Sequence, residues 1–116
     1  MTVESIERAR ALVASEAAEM RGHASDASRL LKAIANDRRL MILCMLADGE
    51  QAVGDINAGM DLSQSALSQH LAVLREEGLV RTRRSAQTIF YSLADGPVHD
   101  IIAVLHRIYC GGGSKT

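Results

Sequence analysis

Rings are scarce in this chain of 116 residues: aromatics make up 3% and tryptophan is absent. Any core must be built from Leu, Ile, Val, Ala and Met, within an apolar total of 47%. An excess of charge of one sign is also lacking. The formal net charge is −1, so the overall balance argues neither for nor against nucleic acid, and a basic patch has to be local. Charged residues reach 23%, an ordinary share that sets aside a wholly disordered chain. Long apolar runs are missing as well. The longest is LMILCMLA, residues 40 to 47, against the roughly 20 residues a membrane-spanning helix needs. The opening MTVESIERAR carries neither the positive start nor the apolar run of a signal peptide, and a cytoplasmic protein with no membrane partner is expected. Cysteine appears twice. In a reducing compartment that disfavours a structural disulfide and turns attention to redox or metal chemistry. No Ser-His-Asp set, phosphate loop or H-E-x-x-H is present. An enzyme is not expected, and no bound cofactor is implied.

What is there reads as one domain of helices followed by a small hairpin. Val3, Ile6, Leu12, Val13, Ala17 and Met20 fall near one stripe of a helix over 3 to 21, with Thr2 as its N-cap. A second helix starts at Ser25 or Asp26 and runs through Leu30, Leu31 and Ile34. Asp37 is expected to cap a third, over 38 to 47, apolar nearly all round and therefore buried and central, with Gly49 ending it. AVGDINAG, 52 to 59, suits a short helix with Val53 and Ile56 inward. Ser63 stands in N-cap position for the next, in which Leu67, Leu71 and Leu74 recur at helical spacing up to Gly78. Periodicity then changes. LVRTRR and QTIFYSL are strand-like, joined through Ser85-Ala86. Pro97 is well placed to begin a last helix, striped by Val98, Ile101, Ile102, Leu105 and Ile108, and GGGSKT reads as a flexible tail.

Short helix, tight turn, second helix and β-hairpin is the order of a winged helix-turn-helix. In that geometry the second helix enters the DNA major groove. With its leucines inward, Gln64, Ser65, Ser68 and Gln69 face out near the N-terminus. Amide and hydroxyl groups both donate and accept, as base edges do, and no carboxylate stands there to repel phosphate. Arg81, Arg83 and Arg84 lie on the first arm of the hairpin, a local cation cluster suited to the DNA backbone. Each feature also has a plainer explanation: a polar solvated helix, and a strand edge guarded by charge. A winged helix used for protein contact is a further alternative. His70 sits at the edge of the buried stripe and suits a phosphate contact or a packed structural role. One winged helix covers few base pairs, and the stripes of residues 3 to 20 and 98 to 109 exceed what one small core needs. A homodimer through the first and last helices, reading an inverted repeat of double-stranded operator DNA, is expected.

Over roughly residues 28 to 109 the sequence resembles the ArsR/SmtB family of dimeric bacterial repressors. The resemblance is carried together by LLKAIANDRRLMIL, LSQSALSQHLAVLREEGLV and the wing RTRRSAQTIFYSL. It implies a mainly α fold with a small β-hairpin, dimerised through N- and C-terminal helices, that binds operator DNA until an inducer lowers its affinity. The sequence reading divides the single domain into dimerisation helices over 3–21 and 97–110, a helix-turn-helix over 52–78 and a wing over 79–93. Two departures stand out. Many family wings turn on Gly where this one has Ser85-Ala86, and a positive φ at Ala86 would cost about 1–2 kcal/mol. Ala52 is a poor cap for the first helix of the motif.

The inducer has two readings. Metal-sensing members carry a cysteine pair near the first helix of the motif, where GEQAVGDINAG holds no Cys or His. Others use Asp and His of the last helix, which here offers His99, His106 and Cys110 along one side, without the Asp-x-His start of that motif. A solvated polar stripe also explains these residues. The other reading rests on resemblance. One cysteine in RRLMILCML and one in HRIYC resemble the BigR/SqrR branch of the family, whose members sense persulfide and related oxidants. That resemblance implies that Cys44 and Cys110 form a disulfide or sulfur-bridged link in response to a sulfane-sulfur or oxidant inducer. A free cysteine at position 44 otherwise packs as a small apolar residue.

Overall fold

A computed structural model describes residues 2–111; most of the GGGSKT segment lies outside the described residues. Two compact units are present, divided between Lys32 and Ala33. The first contains α1 (Val3–Arg21) and most of α2 (Ala24–Ile34). Thr2 caps α1 as its side chain expects to: its Oγ1 accepts from the Ser5 N–H at 3.1 Å. α2 begins one residue ahead of the expected Ser25. The apolar stripe of α1 is left in the open, with no buried residue on the helix. Val3, Leu12, Val13 and Met20 are all more than half exposed.

The second unit holds the core. α3 (Asp37–Ala47) is capped by Asn36, not by the expected Asp37. The Asn36 Oδ1 accepts from the N–H groups of Arg38 and Arg39, each at 3.0 Å. Asp37 instead sits in the first turn, where its charge suits the helix dipole. α3 packs against α5, β3 and α6, the central position expected. It is not buried all round: Ile42, Leu43 and Leu46 are enclosed, whereas Met41 is 52% exposed. The Gly49 N–H closes the helix onto the Leu46 carbonyl.

β1 (Gln51–Ala52), two residues long, was not expected from sequence. It pairs antiparallel with β3, Gln51 with Tyr91 and Ala52 with Phe90. Ala52 then precedes α4 (Val53–Ala58) and, having no side-chain acceptor, leaves that helix without a side-chain cap. α5 (Gln64–Glu76) begins at Ser63, whose Oγ accepts from the Ala66 N–H at 3.1 Å. It buries Leu67, Leu71 and Leu74. Gly78, at φ +74°, ends it. The Leu79 N–H reaches back to the Leu74 carbonyl at 2.9 Å and the Gly78 N–H to that of Arg75 at 3.0 Å, a closure that needs the left-handed residue Gly supplies.

β2 (Val80–Ser85) and β3 (Thr88–Leu93) form the hairpin, in register from Val80–Leu93 to Ser85–Thr88. The sheet order is β1-β3-β2. Because Ser85 pairs with Thr88, the turn residues are Ala86 and Gln87 rather than Ser85-Ala86. Ala86 does take positive φ, at 55°. α6 (Pro97–Tyr109) starts with Pro97 in its first turn. Only Val98 and Ile102 of its stripe enter the core, while Val104, Ile108 and Tyr109 are exposed.

Candidate nucleic-acid interface and thiol pair

The polar face of α5 is built by its own leucines. Turning Leu67, Leu71 and Leu74 inward leaves Gln64, Ser65, Ser68 and Gln69 exposed, with no acidic side chain in the first turn. Ser65 Oγ lies 3.3 Å from the capping Ser63 Oγ. Gln64 and Ser68 also wall a groove of about 720 Å³ that runs between α5 and the sheet, with Arg75 and Glu76 on the same helix and Ile89 opposite. Glu76 in this groove was not anticipated. His70 is half-buried, and its Nδ1 lies 3.5 Å from an Arg39 terminal nitrogen. Arg39 in turn donates through Nε to the Ala33 carbonyl at 2.6 Å. This chain of contacts ties α5 to the start of α3, so the packed role weighed for His70 has a partner in the fold.

The three hairpin arginines differ. Arg81 meets Asp95 at 2.9 Å. Arg83 donates twice to Glu50, at 3.0 and 2.7 Å, and its guanidinium carbon lies 4.5 Å from the centre of the Phe90 ring. The hydrogen bonds from Arg83 hold the Glu50 carboxyl below the usual carboxylate range, and Glu50 raises Arg83 in return. Arg84 is exposed and has no ion pair or hydrogen bond among the described residues. Sequence reasoning missed Glu50 because 33 positions separate it from Arg83 and only the β1–β3–β2 pairing brings them together.

Cys44 lies on α3 and Cys110 at the end of α6, two helices that pack against each other. Both are free thiols; Cys44 is half-buried and Cys110 exposed. Cys110 is the C-cap of α6, its N–H on the His106 carbonyl at 2.7 Å. Burial first, then the charges of Cys110 and Asp48, push the Cys44 thiol up. His99 and His106 are exposed and wall a cavity of about 290 Å³ with Asp48. Among the described residues of one chain no three His, Cys, Asp or Glu side chains gather as a metal site.

A helix-turn-helix of α4 and α5 backed by a three-stranded wing matches known proteins. The profile described as bacterial regulatory protein, arsR family, covers residues 36–82. The transcriptional activator HlyU of Vibrio cholerae is 56% identical over 92 residues, 79% of this chain and 85% of that protein. The chain belongs to the arsR family. A biofilm growth-associated repressor of Agrobacterium fabrum is 46% identical over 91 residues, 78% of each chain. The solved reduced HlyU from Vibrio cholerae superposes with a TM-score of 0.76 over 79% of this chain and 97% of that one, at 56% identity. A homodimeric winged helix-turn-helix DNA-binding domain from Mycobacterium bovis gives a TM-score of 0.68 at 33% identity, over 77% of this chain and 83% of that one. Membership makes the protein a DNA-binding transcriptional regulator and not an enzyme. No helix among the described residues is long and apolar enough to cross a membrane.

Proposed function

We propose that the protein is a homodimeric repressor of an inverted-repeat operator, released when Cys44 and Cys110 become linked by reaction with a persulfide. Gln64, Ser65, Ser68 and Gln69 meet base edges in this reading, Arg84 and the N-terminal turn of α5 hold phosphate, and His70 sets the helix in place. The exposed stripe of α1 and the outer face of α6 pair the protomers, as the homodimeric Mycobacterium bovis domain makes reasonable. The observation that supports the switch is that two free thiols, Cys44 and Cys110, stand on α3 and at the end of α6, helices that pack against each other. That a relative has been solved in a form called reduced HlyU supports redox state as a variable.

The chemistry balances with a persulfide, R–S–S–H, as oxidant. The exposed Cys110, as thiolate, attacks the terminal sulfur. A Cys110–S bond forms, the S–S bond of the persulfide breaks, and RS⁻ leaves to take up a proton. The Cys44 thiolate then attacks the Cys110 Sγ and displaces HS⁻. Two protein thiols lose two electrons, and the persulfide is reduced to a thiol and hydrogen sulfide. A plain disulfide needs Cα atoms within about 7 Å. Cys44, with its raised thiol, resolves and does not initiate.

The test is affinity for the promoter DNA upstream of its own gene, by fluorescence anisotropy, for reduced, glutathione-persulfide-treated and zinc-treated protein. The reduced form should bind, and persulfide should weaken binding about 5–150-fold, the usual range of such couplings. Cys44→Ser and Cys110→Ser should bind and fail to respond. Full response in either variant, or release by zinc alone, overturns the thiol switch.

A further inference from the structure

The two faces of the wing are not equivalent, and the strand register tells them apart. Residues paired across an antiparallel hairpin share a face. Arg81 pairs with Ser92 and Arg83 with Phe90, and Arg83 stacks on that ring while it holds Glu50. Thr82 pairs with Tyr91 and Arg84 with Ile89, on the other face. Tyr91 and Ile89 are the residues that wall the groove of about 720 Å³ against α5. Arg84 therefore stands on the groove side of the wing, and Arg81 and Arg83 on the far side. The α5 wall is made by Gln64, Ser68 and Arg75, which recur at four- and seven-residue steps along one face of the helix. Arg75 is exposed and, like Arg84, has no ion pair or hydrogen bond among the described residues. Two free cations thus border one groove, one on each wall.

We propose that this groove seats one sugar-phosphate strand of the operator duplex, and that Arg75 is a phosphate-binding residue working across it from Arg84. The inference rests on α5 entering the major groove. A strand of phosphates separates each major groove from the adjoining minor groove, so a helix in the one and a hairpin beside it straddle that strand. The N-terminal residues of such a helix reach base edges, which leaves its C-terminal end to the backbone. From Gln64 to Arg75 is about 16 Å along the axis, enough to separate the two tasks. The carbonyl end of α5 is the negative pole of its dipole and repels phosphate. Arg75 in the last turn supplies the cation that offsets it, and Ile89 offers an apolar surface to deoxyribose. Glu76 walls the same groove and is exposed. Its carboxylate opposes the strand, so it weakens binding and marks where the track ends. Arg75 grips without reading sequence, because phosphate contacts carry no base information.

The experiment measures affinity of the full, reduced chain by anisotropy across a salt series, on two duplexes of equal length. One is the promoter DNA upstream of its own gene and the other has random sequence. Arg75→Ala should flatten the slope of log affinity against log salt by about 1.8, one phosphate in each protomer, and weaken both duplexes by the same factor. Adding Arg84→Ala should bring the loss to about 3.6. Arg75→Lys keeps the charge and should keep the slope. Glu76→Gln should tighten both duplexes, on the order of a few-fold, a gain that a purely structural role for this end of the helix would not produce. An unchanged slope in Arg75→Ala, an equal loss in Arg75→Lys, a loss confined to the promoter duplex, or no gain in Glu76→Gln overturns the seating of the strand. A parent protein without salt-dependent affinity for either duplex sinks the reading of α5 itself. A parent that binds while Arg75→Ala keeps its slope sinks the groove alone.

Discussion

The arginines of the wing are unequal partners for DNA, and the inequality is measurable as salt dependence. Arg81 and Arg83 are each matched with a carboxylate of the same chain, Asp95 and Glu50. Arg84 has no such partner among the described residues. Binding to duplex DNA releases counterions in proportion to the phosphates neutralised, at a slope of about −0.9 in log affinity against log salt per contact. If Arg84 grips one phosphate in each protomer, Arg84→Ala removes two contacts and flattens the slope by about 1.8. Between about 50 and 200 mM salt, the variant's affinity should thus fall roughly tenfold less than that of the parent. Removing the matched pair together, in Glu50→Ala/Arg83→Ala, takes away no net charge and should change the slope by less than about 0.5. The double variant is the proper comparison, since Arg83→Ala alone leaves the Glu50 carboxylate facing DNA. The assay is anisotropy on operator duplex across a salt series with reduced protein. An unchanged slope in Arg84→Ala refutes the assignment. A loss near 1.8 in the double variant refutes it differently, by showing that Arg83 leaves Glu50 for phosphate.

Two further outcomes follow from the geometry. Ala86 carries a left-handed backbone worth about 1–2 kcal/mol of strain, so Ala86→Gly, after a loss of about 0.5–1 kcal/mol to chain entropy, should stabilise the protein by about 0.5–1 kcal/mol. The urea midpoint should rise with m unchanged, and a lowered midpoint would show that the turn is not strained. At Cys44 the folded state holds its proton more tightly than the unfolded chain. Its contribution to stability is complete below the ordinary thiol pKa and is lost as pH rises through the raised folded value. Iodoacetamide labelling should accordingly show a midpoint for Cys44 above that of a peptide thiol, lowered partway by Cys110→Ser; a midpoint at or below the peptide value refutes the environment described.

Where local chemistry decided the structure, the sequence was readable. Ser63 with Leu67, Leu71 and Leu74 defines α5 and its polar face from sequence alone, and Pro97 marks the start of α6. The hairpin showed in its Val, Thr, Ile, Phe and Tyr content. The misplacements have physical reasons. Asn36 and Asp37 are both good caps, and choosing between neighbours needs the backbone angles. β1 has two residues and no period of its own, so only its pairing with Tyr91 and Phe90 makes it a strand. The same pairing made the Glu50–Arg83 contact invisible, as the distance in sequence hid Arg39 from His70. The thiol pair was named by resemblance; hydrophobic periodicity alone would have packed Cys44 as a small core residue.

The placement of that pair matters for how a change at sulfur would reach DNA. A bond made within a loop is absorbed by the loop, whose backbone has room to move. Cys44 instead lies within the second half of α3, next to Leu43, fully enclosed, and two residues before Leu46. α3 touches α6, α5 and β3. Close-packed interiors transmit displacement because few voids exist to take it up. A link to Cys110 draws the end of α6 against α3, and α3 can follow only by shifting against Leu67, Leu71 and Leu74 or by dragging β3. Either motion re-aims the face that carries Gln64, Ser65, Ser68 and Gln69. A coupling of about 1–3 kcal/mol is all that release requires, and that is on the scale of one imperfectly packed methylene group or two. The proposed switch therefore needs no large rearrangement, only a seam that cannot satisfy the sulfur bond and the α5 contacts at once.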